Sequence, residues 1–416
     1  MTQQRDVLVI GAGVIGVCSA YYLQKAGRRV TIVERDEVCS GSSHGNAGWI
    51  VPSHSVPLAA PGAVLRGLRW MFNPESPFYI KPRFDLDLLR WLLRFRAAAN
   101  EGAVRRSLPV LRELSNASLA LYEELVADEA LDCKYRQVGL MALYRTERAY
   151  EDGIEDAHVL EAFGIPTRVH SSSEVVDMAP AVRSDIVGGI FFDGDAHVKP
   201  DDFVNGLASR FQEQGGEILT GAEVQGFEVA GGRVESVKTS RGDYRPEQVV
   251  LAAGAWSPGV ARDLKLKLPV QPAKGYSVTF DAPEDLLPFP MMLAGARVGV
   301  TPMGPRIRLA GTLELSGINL DINQRRIAAI RRAPGNFLTL DFERTNEEVW
   351  CGMRPLSADG RPIIGVPGGV SNLIVATGHS MTGVTQGPAT GKLVSEIAMG
   401  QAPTVDPTAF SPRRFE

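Results

Sequence analysis

Residues 6–16 read Asp6-Val-Leu-Val-Ile-Gly11-Ala-Gly13-Val-Ile-Gly16, an apolar run followed at once by glycines in the pattern GxGxxG. A continuous apolar run of this kind is typical of a strand that is buried on both faces of a sheet. Residues 14–25 can form a helix with Gly27 as its stop, and the β-branched run 29–34 predicts a second strand. The sequence therefore begins with a predicted βαβ unit.

This unit has the residues that a dinucleotide site requires. Gly11, Gly13 and Gly16 would let the backbone approach a pyrophosphate at the N-terminus of the helix. Glu34, at the end of the second strand, can accept hydrogen bonds from ribose hydroxyls. The alternative is a tight turn beneath a core helix. Because strand, glycines, helix and acidic residue occur in the required order, we favour dinucleotide binding.

The composition predicts a folded, cytoplasmic protein and argues against nucleic acid as a partner. The chain has 416 residues, of which 44% are apolar and 22% charged, and its net charge is -4. A weakly acidic chain is a poor match for a polyanion. The scattered cysteines and histidines have no metal-ligand spacing, so we expect no metal and reduced thiols. No apolar stretch reaches the length of a membrane span.

Nucleotide-type segments recur along the chain and are separated by blocks of other character. Residues 248–254 are a further apolar run ending in glycine, and 372–399 predict a strand, a Gly-rich turn and a long helix. Predicted helices at 84–100 and 108–130, and many short strands, fill the intervals. We therefore predict an α/β protein in which a discontinuous Rossmann-like nucleotide domain receives an inserted substrate domain of sheet and helices. The predicted nucleotide domain comprises 1–58, 198–256 and 345–416, and the substrate domain comprises 59–197 and 257–344.

A small-residue loop, Ser40-Gly-Ser-Ser-His-Gly-Asn-Ala-Gly48, follows the βαβ unit where an NAD enzyme usually continues into ordinary βα structure. Such a loop can wrap closely around a bulkier cofactor. With its other motifs, the chain resembles the D-amino-acid oxidase superfamily of FAD enzymes, above all the D-amino-acid dehydrogenase branch, with glycine and sarcosine oxidases as more distant relatives. The motifs in order are GAGVIG with Glu34, SGSSHGNAG, LAAGAW (251–256), KGYS (274–277), GMRPLSADGRPIIG (352–365) and ATGHSMTG (376–383).

The resemblance implies a tightly but non-covalently bound FAD. The dipole of the last helix would stabilise the reduced, anionic flavin. The residues that the resemblance implies for FAD binding are Gly11, Gly13, Val14, Ile15, Gly16, Glu34, Arg35, Ser42, Ser43, Asn46, Ala47, Gly48, Val224, Gly254, Trp256, Thr382, Gly383, Val384 and Thr385.

Arg354 matches the arginine with which this superfamily grips the substrate carboxylate. A guanidinium offers two parallel donors to a carboxylate, so it sets direction as well as charge. The alternative for an isolated arginine is a surface or interdomain salt bridge. The surrounding motif favours the carboxylate role.

The resemblance implies further substrate contacts at Tyr276, Trp49, His44, Ser380 and Met381. Glycine oxidase has a second arginine where this chain has Met381, so we expect a less cationic pocket for a bulkier or more apolar substrate. Tyr276 could instead be a sheet aromatic with its hydroxyl at the rim. His44 could instead be a structural hydrogen-bonding residue of the loop.

The resemblance also implies the reaction. Hydride would pass from the substrate Cα to flavin N5 while a neutral amine forms the imine, without a dedicated protein base. The product would be an imine or 2-oxo acid from a D-amino acid, D-proline and D-hydroxyproline included. Arg308 lies near the place where some sarcosine oxidases have an oxygen-activating lysine, which favours a quinone or carrier as acceptor. The alternatives are a glycine- or sarcosine-type oxidase and a non-catalytic or NAD-binding module.

Two stretches bear on location. Trp70-Met-Phe72 and the arginine-rich helix 84–96 could rest on an anionic membrane at the inner face of the cell. The alternative, which we prefer from sequence, is an ordinary helix that packs Leu89, Leu92 and Leu93 into the core.

Overall fold

The computed structural model describes residues 3–62, 76–340 and 344–416. Trp70 and Phe72 lie outside the described residues. The strands are β1 Gln3–Ile10, β2 Val30–Val33, β3 Trp49–Ile50, β4 Phe78–Ile80, β5 Leu140–Tyr144, β6 Arg168–Ser171, β7 Gly188–Phe192, β8 Ala196–His197, β9 Glu217–Leu219, β10 Val224–Ala230, β11 Arg233–Thr239, β12 Gly242–Leu251, β13 Val270–Asp281, β14 Met291–Leu293, β15 Val298–Pro302, β16 Arg306–Leu315, β17 Glu348–Ser357, β18 Ile363–Gly365 and β19 Leu373–Thr377. The α-helices are α1 Val14–Lys25, α2 Leu86–Ala98, α3 Glu101–Asp128, α4 Glu147–Ala162, α5 Ser172–Met178, α6 Pro200–Glu213, α7 Ser257–Val260, α8 Gln324–Arg332 and α9 Gly383–Met399.

The first sheet has the order β10-β11-β12-β1-β2-β9, and β19 extends it beside β12 with β18 at its edge. Strand β1 pairs in parallel with both β12 and β2. Val7, Leu8 and Val9 are fully buried, as expected for a strand covered on both faces. The carboxyl end of β1 leads directly into the glycine turn and α1, which places a crevice at that edge of the sheet.

Helices α1, α3, α6 and α9 share one hydrophobic core with this sheet. Helix α3 lies within the segment 59–197, which the sequence assigned to the substrate domain. Its Tyr122 is nevertheless fully buried in the nucleotide-domain core and donates to the backbone oxygen of Val384 at 2.7 Å. The buried leucines of α3 pack against helices that are far away in the sequence. The local sequence of α3 does not indicate which domain core the helix joins.

The second sheet has the order β17-β13-β16-β15-β14-β5-β7-β6, with β4 beside β16. Strand β17 pairs with β13 along its whole length, from Glu348 to Ser357. The predicted boundary at residue 345 therefore separates β17 from the sheet to which it belongs, because its pairing with β13 joins segments that are far apart in the sequence. Two sheets with helices around them make the mixed α/β fold that the sequence predicts.

Several predicted elements have the expected bounds and others shift. Helix α1 covers 14–25 as predicted, and α9 ends at Met399 with Gly400 in a left-handed conformation. The helix predicted at 108–130 begins earlier, at Glu101, because the Asn100 side chain caps it by accepting from the Ala103 amide at 2.9 Å. The preferred packing for the arginine-rich helix is wrong for Leu89 and Leu93, which are exposed on α2.

Among the described residues, no helix is both long and apolar enough to cross a bilayer.

Candidate active site

The turn after β1 is shaped for close approach by a ligand. Gly11 has φ +105, and a Cβ atom there would lie 2.7 Å from the Ala252 oxygen. A Cβ atom at Gly16 would lie 1.8 Å from the Gly11 oxygen. Both positions therefore require glycine, and α1 begins immediately beyond with its amide groups directed at the crevice.

Two side chains hold this turn. Glu34 Oε2 accepts from the Ala12 amide at 2.7 Å, so the acidic residue after β2 stands against the phosphate turn. Ser43 Oγ accepts from the Val14 amide at 3.0 Å, so the small-residue loop closes over the start of α1. The Arg35 guanidinium lies over the Trp256 ring, 5.1 Å from its centroid, at the distance of a cation–π contact.

The small-residue loop is held from the other domain by Arg308 on β16. Its Nη1 donates to the backbone oxygens of His44 at 2.7 Å and Asn46 at 2.9 Å, and its Nε donates to Thr279 Oγ1 at 2.9 Å. Burial lowers the pKa of Arg308, with Asp201 3.9 Å away as partial compensation. The sequence suggested oxygen chemistry or a second choice of carboxylate site for Arg308, and it did not indicate this contact with the loop, because nothing local marks the backbone partners.

The remaining expected cofactor residues lie in the small-residue loop, after β12, at the start of β10 and at the start of α9. Gly48 has φ +76, with its amide bonded to Asn46 Oδ1. Gly254 follows β12, and its oxygen accepts from Thr377 Oγ1 at 2.8 Å. Thr385 Oγ1, in the first turn of α9, donates to the Trp49 oxygen at 2.9 Å. Ser42 and Ala47 lie in the small-residue loop, where Ser42 donates to the Met353 oxygen. Val224 begins β10, and Thr382 directly precedes α9.

Arg354 lies on β17, on the face of the second sheet that it shares with Gly352 and Gly275. Its Nη1 donates to the Thr312 oxygen at 2.7 Å, and a Cβ atom at Gly275 would lie 1.7 Å from Nη1, so the side chain rests on bare backbone. No carboxylate within the described ranges pairs with this guanidinium, and burial lowers its pKa to about 10. The interdomain salt-bridge alternative therefore has no partner in the described part of the chain.

The loop before α9 lies against the same strand. The Ser380 amide, at φ +53, donates to the Pro355 oxygen at 2.9 Å, next to Arg354. His379 is buried with its Nε2 3.0 Å from Thr390 Oγ1, and burial lowers its pKa to about 3. Met381 is 48% exposed, so it stands at the rim and not within a closed apolar pocket.

The structure does not bring Tyr276 to Arg354. Tyr276 pairs in register with Cys351, on the opposite face of the sheet, and its ring belongs to the hydrophobic core that also contains Ile330 of α8. Its hydroxyl lies 3.3 Å from Glu314 Oε2. The prediction of a carboxylate contact at Tyr276 is therefore wrong, because one position along a strand reverses the face of a side chain.

His44 and Trp49 have defined partners. His44 Nε2 lies 2.6 Å from Glu348 Oε1, which matches the structural alternative for this residue. The Trp49 indole donates to Thr301 Oγ1 at 2.8 Å and covers Gly299 on β15. Trp49 thus lies between the small-residue loop and the second sheet.

Sequence reasoning missed Trp350. Cβ atoms at Gly352 and Gly45 would lie 1.8 Å and 2.1 Å from its indole, so the ring fills the space that two glycines leave. Trp350 shares the sheet face of Arg354 and stands opposite Ser277 in register. The spacing Trp-x-Gly-x-Arg along one strand is the signal that could have found it, because alternate residues share a face.

Fold and crevice together define a dinucleotide-binding enzyme whose second sheet presents a guanidinium near the cofactor loop. A family model described as FAD dependent oxidoreductase matches residues 6–397. The chain belongs to this family, which confirms the resemblance and the expected cofactor, FAD. The glycine turn, Glu34 and the Ser43 loop fit the pyrophosphate and ribose of FAD, which when bound supplies an acceptor for two electrons.

Individual relatives are similar over their full length. A D-amino acid dehydrogenase of Xanthobacter autotrophicus is 31% identical over 416 residues, covering 98% of this chain and 99% of the relative. Another, of Methylobacterium radiotolerans, is 32% identical over 406 residues, covering 96% and 97%.

Solved structures share the fold. Glycine oxidase from Geobacillus kaustophilus superposes with a TM-score of 0.78 at 23% identity, covering 99% of each chain. L-proline dehydrogenase from P. horikoshii gives a TM-score of 0.74 at 20% identity, covering 100% of this chain and 98% of that one. At these identities the similarity establishes the fold alone.

Proposed function

We propose that this FAD-dependent oxidoreductase oxidises the carbon–nitrogen bond of a D-amino acid and holds the substrate carboxylate at Arg354. The observation that carries the proposal is the guanidinium on bare backbone, with one backbone acceptor and no carboxylate partner in the described ranges. A half-buried cation without a counter-ion is costly to the free protein. An anionic substrate would supply the missing charge. The D-amino acid dehydrogenases with about a third of their residues identical support the substrate class.

The chain's own groups orient and enclose the substrate. Arg354 binds the carboxylate in two-pronged fashion, and Ser380 on the adjoining loop offers a short polar contact. Trp350 and Trp49 form the apolar walls, with Met381 at the rim. Burial lowers the pKa of His379 to about 3, so this imidazole is a poor base near neutral pH. The proposal therefore has the substrate amine bind in its unprotonated form. The product is an imine, which hydrolyses to a 2-oxo acid or stays cyclic for D-proline or D-hydroxyproline.

We propose that the electrons leave to a quinone or a carrier. Arg308 supports this choice, because this position holds no lysine and the Arg308 guanidinium donates to two backbone oxygens of the small-residue loop. The same proposal places the protein in the cytoplasm, with contact to the inner face of the membrane.

A substrate panel tests the function. The purified protein is assayed with both enantiomers of small, large and cyclic amino acids, and with glycine, sarcosine and amines that lack a carboxylate. Reduction of an artificial acceptor and oxygen consumption are measured in parallel. We expect fast acceptor reduction with D-amino acids and little oxygen uptake. Fast oxygen uptake with glycine or sarcosine would favour an oxidase, and a colourless folded protein would refute the proposal. Heat should release intact FAD, since we expect no covalent bond.

A further inference from the structure

Helix α2 has two apolar sides, and only one of them faces the protein. Leu88 and Trp91 are buried against β13 and β17, and Trp91 Nε1 donates to the Leu356 oxygen at 3.0 Å. This anchors the helix to the strand that carries Arg354. The inward side therefore accounts for the packing of α2.

The other side is apolar and faces outward. Phe84 is 95% exposed, Leu86 and Leu89 are each 52% exposed, and Leu93 is 59% exposed. We call these four residues the outward α2 face. A surface helix of a globular protein normally shows polar residues opposite its buried stripe. Four adjoining large apolar side chains in water indicate a surface that contacts something apolar.

A neighbouring loop adds to this surface. Ile318, Leu320 and Ile322 are exposed by 56%, 52% and 38%. The loop begins beside α2, because Arg83, one residue before Phe84, donates to the Leu315 oxygen at 2.8 Å. Together with the outward α2 face, this loop holds seven of the thirteen large apolar side chains that are exposed in the described part of the chain.

The charges around this surface match an anionic bilayer. Residues 81–96 and 316–323 together contain five lysine and arginine residues against three aspartates, in a chain whose net charge is -4. At about 3.6 residues per turn, Arg90 and Arg96 flank the leucine stripe on opposite sides. Long cationic side chains can reach lipid phosphates while neighbouring leucines enter the acyl boundary. A stripe of leucines between two arginines is typical of an interfacial helix.

We propose that the outward α2 face and the 316–323 loop dock the protein on the surface of an anionic membrane. The docking proposal rests on the proposed function in one respect, which is that the electron acceptor is a quinone in the membrane. Docking would hold the strand of Arg354 next to the bilayer, since Trp91 joins α2 to β17 directly.

Vesicle flotation tests the proposal with the full-length, flavin-loaded protein. Two vesicle types are used, pure phosphatidylcholine and a mixture with phosphatidylglycerol. Leu89→Ser/Leu93→Ser removes apolar contacts, and Arg90→Glu/Arg96→Glu reverses the flanking charge. The matched control, Val159→Ser/Arg148→Glu, changes an exposed apolar residue and an exposed cation on α4. Acceptor reduction in solution is measured for every variant and should be unchanged.

We expect the wild type and the control to float with the anionic vesicles, less so as salt rises. Each α2 variant should lose at least about tenfold in vesicle affinity. Equal flotation of all variants, or no flotation of the wild type, would overturn the proposal. A shift from dimer to monomer in Leu89→Ser/Leu93→Ser would also overturn it, by making this face an interface between copies. These outcomes do not depend on which amino acid the enzyme oxidises.

Discussion

Arg308 and Arg354 lie on the same face of the second sheet and do different work. Arg308 is 1% exposed and directs its donors to two loop oxygens and a threonine hydroxyl. Arg354 is half-buried and has one backbone acceptor. A buried guanidinium whose donors are engaged holds structure, whereas one whose donors remain open is prepared for a ligand. The comparison separates the part of the cleft that shapes the cofactor loop from the part that receives substrate.

The largest expected effect concerns Arg354. We expect Arg354→Ala to lower kcat/KM for amino acids by at least about a hundredfold, with Arg354→Lys intermediate, because lysine keeps the charge but loses the planar fork. Steady-state kinetics with an artificial acceptor measures this change.

The control for Arg354 is an amine without a carboxylate, which should be a poor substrate that the substitution affects little. Flavin content and Tm should stay close to the wild type. Near-normal turnover of amino acids by a yellow, folded Arg354→Ala protein would place the carboxylate site elsewhere.

Arg308 should show the reverse pattern. We expect Arg308→Gln to weaken FAD binding by about tenfold or more, because charge-assisted hydrogen bonds to the cofactor loop are lost. Fluorescence titration of the flavin-free protein measures the Kd. Arg306→Gln is the matched control, since Arg306 donates to the oxygens of Thr279 and Asn346 and not to the loop. Unchanged FAD affinity in Arg308→Gln would mean that the loop holds its shape without this arginine.

Trp350 tests the extent of the Arg354 region. Trp350→Phe opens space over Gly352 and Gly45, so substrates with bulkier side chains should gain relative to small ones by about tenfold in kcat/KM. Trp49→Ala should likewise shift the ranking while FAD stays bound. If the ranking is the same in Trp350→Phe as in the wild type, the indole is no part of the substrate wall.

The smallest expected effect is on the pH dependence of stability and concerns His379. Because this imidazole is uncharged near neutral pH, it adds no second positive charge to the loop beside Arg354. Burial lowers its pKa from 6.5 to about 3, so the unfolded chain binds a proton below pH 6.5 that the folded chain does not. Above pH 6.5 the neutral, buried His379 costs the folded protein nothing. As the pH falls from 6.5 toward 3, the free energy of unfolding decreases, because only the unfolded chain binds the proton. His379→Asn should therefore reduce the acid slope of unfolding free energy by about 1.4 kcal/mol per pH unit below 6.5.

Chemical denaturation between pH 7 and pH 5 measures this slope. His158→Asn, at an exposed position on α4, serves as the control and should keep the wild-type slope. An unaltered slope in His379→Asn would mean that His379 takes up its proton at the same pH in the folded protein as in the unfolded chain.

Local chemistry determined much of this protein from the sequence alone. The apolar run, the GxGxxG turn and Glu34 predicted β1, α1 and the cofactor crevice, because each depends on neighbours a few residues away. The motif around Arg354 indicated its site by resemblance.

Tertiary structure decided the rest. Arg308 meets His44 across a sequence separation of 264 residues, and only the register of β13 and β17 puts Tyr276 behind the sheet and Trp350 beside Arg354. Pairing between distant strands sets which face a side chain occupies, and no local pattern contains that information.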